Sequence, residues 1–367
     1  MDEGTVNRLL WKLGFNPMQF DDSIFRFKAR LSEFNETILA STPISTEDAR
    51  ERIRAAGVNV FVSLEDFLDR LVSYNVWLLS SDHFVTTKFK YSSSDGRRSV
   101  AQALGRLLPS GPTAVSWDIL GVNPLGTLLR YLRAAADWIQ TLPGRNPESA
   151  QRPERDLPHF ADNDYLKFPF RHTALWADSD PTGLQRHSDL FARIVKLVEE
   201  SDPASVRNGL DHFRDSEQFP AADKLLACVV RLGQALELAD VHRFIPKVHW
   251  LFDRKGNRFG AAQNEFRDYA GRTVISYGPR LVLGLEMDSY DGARVVAPGN
   301  LLGLPNASLV FYLREPSDFS TYWEDYPRRR RIPGPNGRQD MPPNDAAKSV
   351  IATNATGPQG DKLKVSE

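Results

Sequence analysis

The spacing of apolar residues changes near residue 255, and this change limits the fold more than any other feature of the chain. Before it, apolar residues recur every three or four positions, as in PLGTLLRYLRAAADWIQTL (124–142), which is typical of helices. After it, short β-like runs alternate with Gly, Pro, Asn or Asp, as in TVISYG (273–278), RLVLGLEMD (280–288), ARVVA (293–297) and SLVFYLRE (308–315). We therefore predict an α+β fold that is mainly α.

Helix signals divide the first part of the chain. Thr46 is the predicted N-cap of one helix, and Gly57 is its predicted end. VNVFV (58–62) is predicted as a short β-like run. A new helix is predicted to begin after it, with a capping box at Ser63 and Asp66. The predicted helices span 5–13, 46–56, 63–80, 97–108, 124–142, 187–200, 203–214 and 221–241.

Proline and charge mark the predicted boundaries between regions. PGRNPESAQRPERDLP, from residue 143, holds four prolines among charged residues and is typical of a linker. The tail after Arg328 is polar and rich in Pro and Gly, which predicts disorder. The predicted organisation is an N-terminal helical region (1–142), a linker-like segment (143–185), a helical core (186–255), a β-rich region (256–327) and a disordered tail (328–367).

Composition excludes several classes of protein. Lys and Arg total 46 against 47 Asp and Glu, so the net charge of −1 excludes a basic surface over the whole protein, although not a local basic site. The single cysteine, Cys228, excludes an internal disulfide and a Cys-based zinc site. No apolar run approaches the about 18 residues of a membrane span, and the N-terminus does not resemble a signal peptide, so we expect a cytoplasmic protein without membrane contact.

One predicted helix carries a distinctive polar face. In SDPASVRNGLDHFRD (201–215), Ser201 or Asp202 is placed as N-cap, and Val206, Leu210 and Phe213 fall on one side at helical spacing. Four polar residues share the arc that is turned away from this apolar side: Arg207, Asn208, Asp211 and His212. Gly209 lowers helix stability by about 1 kcal/mol relative to alanine, so its presence suggests the close approach of another backbone or a ligand.

The pattern Arg207-Asn208, three residues, then His212 resembles the motif of the HEPN superfamily (higher eukaryotes and prokaryotes nucleotide-binding). The resemblance covers these six residues and the helical setting of 186–255, with the helices at 63–80 and 124–142 as further candidates for the same bundle. It implies a metal-independent endoribonuclease without cofactor, acting as a homodimer in which two motifs face each other. A toxin or phage-defence role, with an antitoxin or other regulatory protein as partner, follows from the resemblance alone.

The implied reaction suits the residue types. In it, the ribose 2′-OH attacks the adjacent phosphate and leaves a 2′,3′-cyclic phosphate. His212 can exchange a proton near neutral pH, and Arg207 can hold phosphate oxygens, while Asn208 can orient the imidazole or bind a phosphate oxygen. Asp211 is an inferred modulator of either neighbour.

Other interpretations stand beside this one. Many members of the superfamily are non-catalytic modules that bind RNA, a nucleotide or a protein partner, and an ordinary solvated helix of a structural subunit also carries such polar residues. His242 and His249 would form a metal site only with a third ligand, so helix-end packing is the preferred interpretation. His83 reads as a partner for a helix end or as a second site facing the motif, and Cys228 as a core thiol. The chain contains no P-loop, dinucleotide glycine fingerprint, Gly-x-Ser-x-Gly elbow or His-Glu-x-x-His motif.

Overall fold

Helices precede most of the sheet along the chain, as the change of spacing predicts. The computed structural model describes residues 23–105, 107, 116–154, 170–211, 219–256, 262–268, 271–278, 294–302 and 309–313. Its helices are α1 (Ser23–Ala40), α2 (Glu47–Ser80), α3 (Ser93–Leu104), α4 (Leu125–Thr141), α5 (Leu175–Asp178), α6 (Pro181–Glu200), α7 (Pro203–Asp211) and α8 (Ala222–Val241). Its strands are β1 (Lys90–Tyr91), β2 (Val248–Gly256), β3 (Ala262–Arg267), β4 (Thr273–Gly278), β5 (Arg294–Val296) and β6 (Val310–Leu313). The fold is thus mainly helical with a small mixed sheet.

Helix α2 runs without a break for 34 residues, so the predicted stop at Gly57, the β-like run at 58–62 and the capping box at Ser63 are wrong. The start is correct, since the Thr46 side chain accepts a hydrogen bond from the backbone N–H of Ala49 at 3.2 Å. The valine-rich stretch stays helical because its buried members, including Val60 and Phe61, lie on the core face of the helix. Burial therefore outweighs the β preference of this stretch.

The six strands form one sheet in the order β1-β6-β5-β2-β3-β4. β1 pairs with β6 in parallel, and the other neighbours are antiparallel. The runs at 273–278, 293–297 and 308–315 correspond to β4, β5 and β6, whereas β2, β3 and the two-residue β1 were not predicted. The run at 280–288 lies outside the described residues, as do the predicted helix at 5–13 and the tail at 328–367.

The sheet shares its core with the helices. Trp77 of α2 packs edge-on against Tyr91 of β1 and Phe311 of β6, with ring centroids 4.7 and 4.9 Å apart. One continuous apolar cluster includes side chains of the helices and of strands β1, β5 and β6, among them Tyr91, Val295 and Phe311. All described residues fall within one compact unit, Met1–Ser317. Strands β1, β5 and β6 are consequently part of the helical core, whereas Phe266 of β3 and Val274 of β4 belong to a second, smaller apolar cluster.

The range 143–185 contributes packed structure where it is described. It contains short 3₁₀ helices at Leu142–Gly144 and Pro147–Ala150, helix α5 and the first residues of α6. Arg152, almost fully buried, forms a two-pronged ion pair with Asp82 at 2.7 and 2.8 Å and donates to two backbone carbonyls. No described helix is both long enough and apolar enough to cross a membrane.

Candidate active site on helix α7

Helix α7 is short, and its first residues set its direction. Asp202, between α6 and α7, has a φ of 46°, which lies in the left-handed region that Asp adopts more readily than most residues. Pro203 occupies the first helical position, where its missing N–H costs nothing. Val206 and Leu210 are buried, and the helix contacts α2 and α8, so its predicted apolar side is confirmed for these two residues.

Two glycines allow α7 to sit close to its neighbours. A Cβ built on Gly57 of α2 would lie 2.6 Å from Cδ1 of Leu210. A Cβ built on Gly209 would lie 2.6 Å from Cγ of Pro220, so the close approach expected at Gly209 comes from the chain that follows the helix. Arg54 of α2 adds a hydrogen bond from Nε to the carbonyl of Leu210 at 3.1 Å. These contacts fix the position of α7 on the long helix.

Arg207 is held in place by two carboxylates. Its Nη1 lies 3.0 Å from Oε1 of Glu65 on α2, and its Nε lies 3.4 Å from Oδ2 of Asp211 one turn further along α7. The Arg207 side chain is 37% exposed. The exposed pair with Asp211 contributes only about 0–1 kcal/mol, so a phosphate that accepts two hydrogen bonds from the guanidinium can compete with it.

Asn208 is exposed and lies next to Arg207 on the outward side of α7. The structure therefore places two of the three predicted site residues side by side on an accessible surface. His212, the predicted acid–base group, lies outside the described residues.

The buried histidines His83, His187 and His249 are poorly placed to exchange a proton with a substrate that binds from solvent. His83 is buried, with Nε2 2.8 Å from the carbonyl oxygen of Leu78 and Nδ1 3.2 Å from the Thr87 hydroxyl, so it closes the end of α2 as its structural interpretation predicts. Burial lowers the pKa of His83 to about 4 and that of His187 to about 3. Burial likewise lowers the pKa of His249 to about 4. These side chains stay neutral in the folded protein near neutral pH.

The described part of the chain offers no metal centre. Within it, no three His, Cys, Asp or Glu side chains are arranged as a metal ion would require. His249 instead places Nδ1 2.9 Å from the carbonyl oxygen of Lys247, which agrees with a packing role. Cys228 is buried, and burial raises the pKa of its thiol to about 12, as expected of a core thiol.

Sequence reasoning missed the α2 residues that complete this site. Glu65 and Arg54 lie more than 140 residues before the motif, and both read as ordinary charged residues on a helix surface. Only the packing of α7 across α2 brings them to Arg207 and Leu210. The one sequence feature that points to this packing is Gly57, between Arg54 and Glu65, because its lack of a side chain lets α7 approach α2.

Comparison with known proteins adds no further assignment. No protein-family model, curated protein or solved structure matches the chain.

Proposed function

We propose that this chain is a metal-independent endoribonuclease whose catalytic residues are Arg207, Asn208 and His212. The observation that supports the proposal is the joint position of Arg207 and Asn208 on the outward side of α7, while the apolar residues of the same helix are buried. The sequence adds His212 four residues after Asn208. The resemblance to the HEPN motif extends the proposal to a toxin or phage-defence role restrained by a regulatory protein.

In the proposed reaction, neutral His212 takes the proton of a ribose 2′-OH. The 2′-oxygen then forms a bond to the adjacent phosphorus, and the bond from phosphorus to the 5′-oxygen breaks. A protonated imidazole gives its proton to that departing oxygen, which leaves a 2′,3′-cyclic phosphate and a 5′-hydroxyl. Because one motif supplies one histidine, we propose a homodimer in which the second His212 donates this proton.

Arg207 has the electrostatic role in this scheme. The pentavalent phosphorus gathers negative charge on its non-bridging oxygens, and a guanidinium that donates two hydrogen bonds stabilises that charge. Glu65 and Asp211 hold the guanidinium near its working position before RNA binds. Phosphate then competes most readily for the contact with Asp211, whose side chain is 39% exposed, while the less exposed Glu65 keeps its contact.

A second function is favoured by the same two carboxylates. They lower the positive potential that Arg207 presents, which weakens its stabilisation of a pentavalent phosphorus and fits a non-catalytic module; such a module would bind RNA, a nucleotide or a protein partner through other residues on the exposed face of α7. In that case the Arg207–Glu65 pair mainly joins α7 to α2. Turnover distinguishes the two functions.

The test is cleavage of single-stranded RNA in the presence of EDTA, with analysis of the product ends. We expect Arg207→Ala to reduce the rate by about 10²–10³-fold and His212→Ala by about 10²–10⁴-fold. Loss of the Arg207–Glu65 pair should lower the free energy of unfolding by about 1–3 kcal/mol, because the Glu65 side chain is only 17% exposed and loses its charged partner. Arg52→Ala is the matched control, since Arg52 is an exposed arginine of α2 in an ion pair with Asp48.

Cleavage that survives both Arg207→Ala and His212→Ala would refute the site. RNA or nucleotide affinity without turnover would establish the binding module in place of the enzyme. Circular dichroism and urea unfolding of each variant ensure that lost activity reflects chemistry.

A further inference from the structure

A groove of about 630 Å³ lies beside the candidate site, between α4 and the junction of α6 with α7. Its size falls within the range of ligand-binding pockets. Arg130, Arg133 and Arg145 line it, and side chains such as Leu129 and Trp138 give it an apolar floor. Arg130 and Thr141, which both line the groove, are eleven residues apart, so the groove follows α4 for about 16 Å.

The acidic residues of the groove are mostly neutralised by other side chains. Glu199 pairs with Arg133 at 2.6 Å, and Asp202 pairs with Lys224 at 3.0 Å. Asp137 remains as the third acid of the lining. Within the described residues, Arg130 and Arg145 pair with no carboxylate, and Arg145 donates to the hydroxyl of Thr141 at 2.9 Å. The lining itself is balanced, with three arginines against three acids, and Lys224 beside Asp202 adds one positive charge, in a protein whose net charge is −1.

One end of the groove is lined by the helix that carries Arg207. Pro203 and Ala204 of α7 line the groove. Arg207 follows them by four and three residues, which places it one turn further along the same face of the helix. An anionic chain that lies in the groove would thus reach Arg207 without leaving the surface.

We propose that this groove binds the sugar–phosphate backbone of single-stranded RNA and leads it to the candidate active site. The inference rests on the proposed function, because it names the part of the surface that holds the substrate. Arginines distributed along a strip suit a polyanion, and the apolar floor suits the faces of unpaired bases. Packed helices lie about 8–10 Å apart, and a groove between them admits one strand more readily than a duplex.

The test measures binding and does not depend on cleavage. Full-length protein with His212→Ala is titrated with a fluorescent single-stranded RNA of about 12 nucleotides, between about 50 and 200 mM salt. The test variant adds Arg130→Gln and Arg145→Gln. The control variant adds Arg52→Gln and Arg98→Gln, two exposed arginines that do not line the groove, so the change in net charge is the same.

We expect the groove variant to bind about tenfold more weakly and its slope of log affinity against log salt to decrease by about 1.4, or about 0.7 for each lost phosphate contact. The control variant should change the slope far less. Equal effects of the two variants, or no RNA binding by the parent protein, would overturn the groove proposal. A mononucleotide that binds as tightly as the RNA, with the same dependence on Arg130 and Arg145, would overturn the RNA assignment in favour of a nucleotide pocket.

The groove and the proposed enzyme can fail separately. RNA that binds through the groove of the wild-type chain but is never cleaved would refute the nuclease and leave the groove proposal standing. Cleavage that depends on His212 but not on Arg130 and Arg145 would do the reverse.

Discussion

Replacement of His187 by leucine should remove a defined part of the acid sensitivity of the fold. His187 of α6 is fully buried, neither ring nitrogen has a hydrogen-bond partner in the described structure, and its ring centroid lies 4.4 Å from that of Phe244. Burial lowers its pKa from an ordinary value near 6.5 to about 3. The unfolded chain therefore binds a proton at a higher pH than the folded protein does.

The sign and size of the effect follow from this difference. Because the folded pKa is lowered, His187 destabilises the fold progressively as the pH falls below about 6.5, toward about 3. Between about pH 7 and pH 5, this linkage lowers the free energy of unfolding by about 2 kcal/mol. His187→Leu should remove that share, while His83 and His249 continue to contribute, since burial lowers their pKa as well. At pH 7 the substitution also removes two buried ring nitrogens, Nδ1 and Nε2 of His187, that have no hydrogen-bond partner in the described structure.

The assay is urea unfolding followed by tryptophan fluorescence at both pH values and constant ionic strength. Phe191→Leu is the control, since Phe191 is a buried residue of the same helix without a titrating group and should lose similar stability at both pH values. A pH dependence of His187→Leu that equals that of the wild type would refute the reasoning, because it would mean that His187 titrates alike in both states.

Three further predictions address packing. Gly209→Ala should not stabilise the protein, because a clash of about 1–3 kcal/mol with the ring of Pro220 offsets the about 1 kcal/mol gained in helix propensity. Gly233→Ala is the control, since nothing lies within 4 Å of a new Cβ there. It should raise the free energy of unfolding by up to about 1 kcal/mol in the same urea assay. Arg152→Ala should cost about 3 kcal/mol, since it removes the charged partner of the largely buried Asp82, which keeps, among the described residues, only the backbone N–H groups of Phe84 and Val85; a thermal shift below a few degrees would contradict this. Cys228 should react with a thiol reagent only on the timescale of unfolding, because its thiol is buried and its pKa is raised to about 12; rapid labelling of native protein would show that it is accessible.

The sequence predicted the helices that begin directly after a strong breaker. Pro124 precedes α4, and the predicted helix at 221–241 matches Ala222–Val241. It failed where a local stop signal met a tertiary contact. Gly57 reads as a helix end, yet the helix continues through it because the absent Cβ admits Leu210 of α7, and the buried face beyond it is large. The strand pairs of β2 and β3 were missed since WLFDRKG and AQNEFR carry too many charges for a clear β pattern.

The candidate site also has one part that the sequence predicts and another that depends on tertiary packing. The identity and spacing of Arg207, Asn208 and His212 are local, so one helical segment is enough to predict that the first two share an outward surface. The partners of that surface are not local, because they depend on how α7 crosses α2 and approaches α4. Glu65 and the arginine-lined groove follow from that packing alone.

The amino-acid sequence by itself determined the mainly helical class, the polar arc of α7 and the absence of disulfide chemistry, because each depends on residue type and on spacing within one segment. The tertiary structure alone decided that α2 is one continuous helix, that the sheet shares the helical core, and that Arg207 faces Glu65. These features arise from side chains that are distant in the chain and become neighbours only when apolar surface is buried. The energy of that burial exceeds the local preferences that a sequence pattern records.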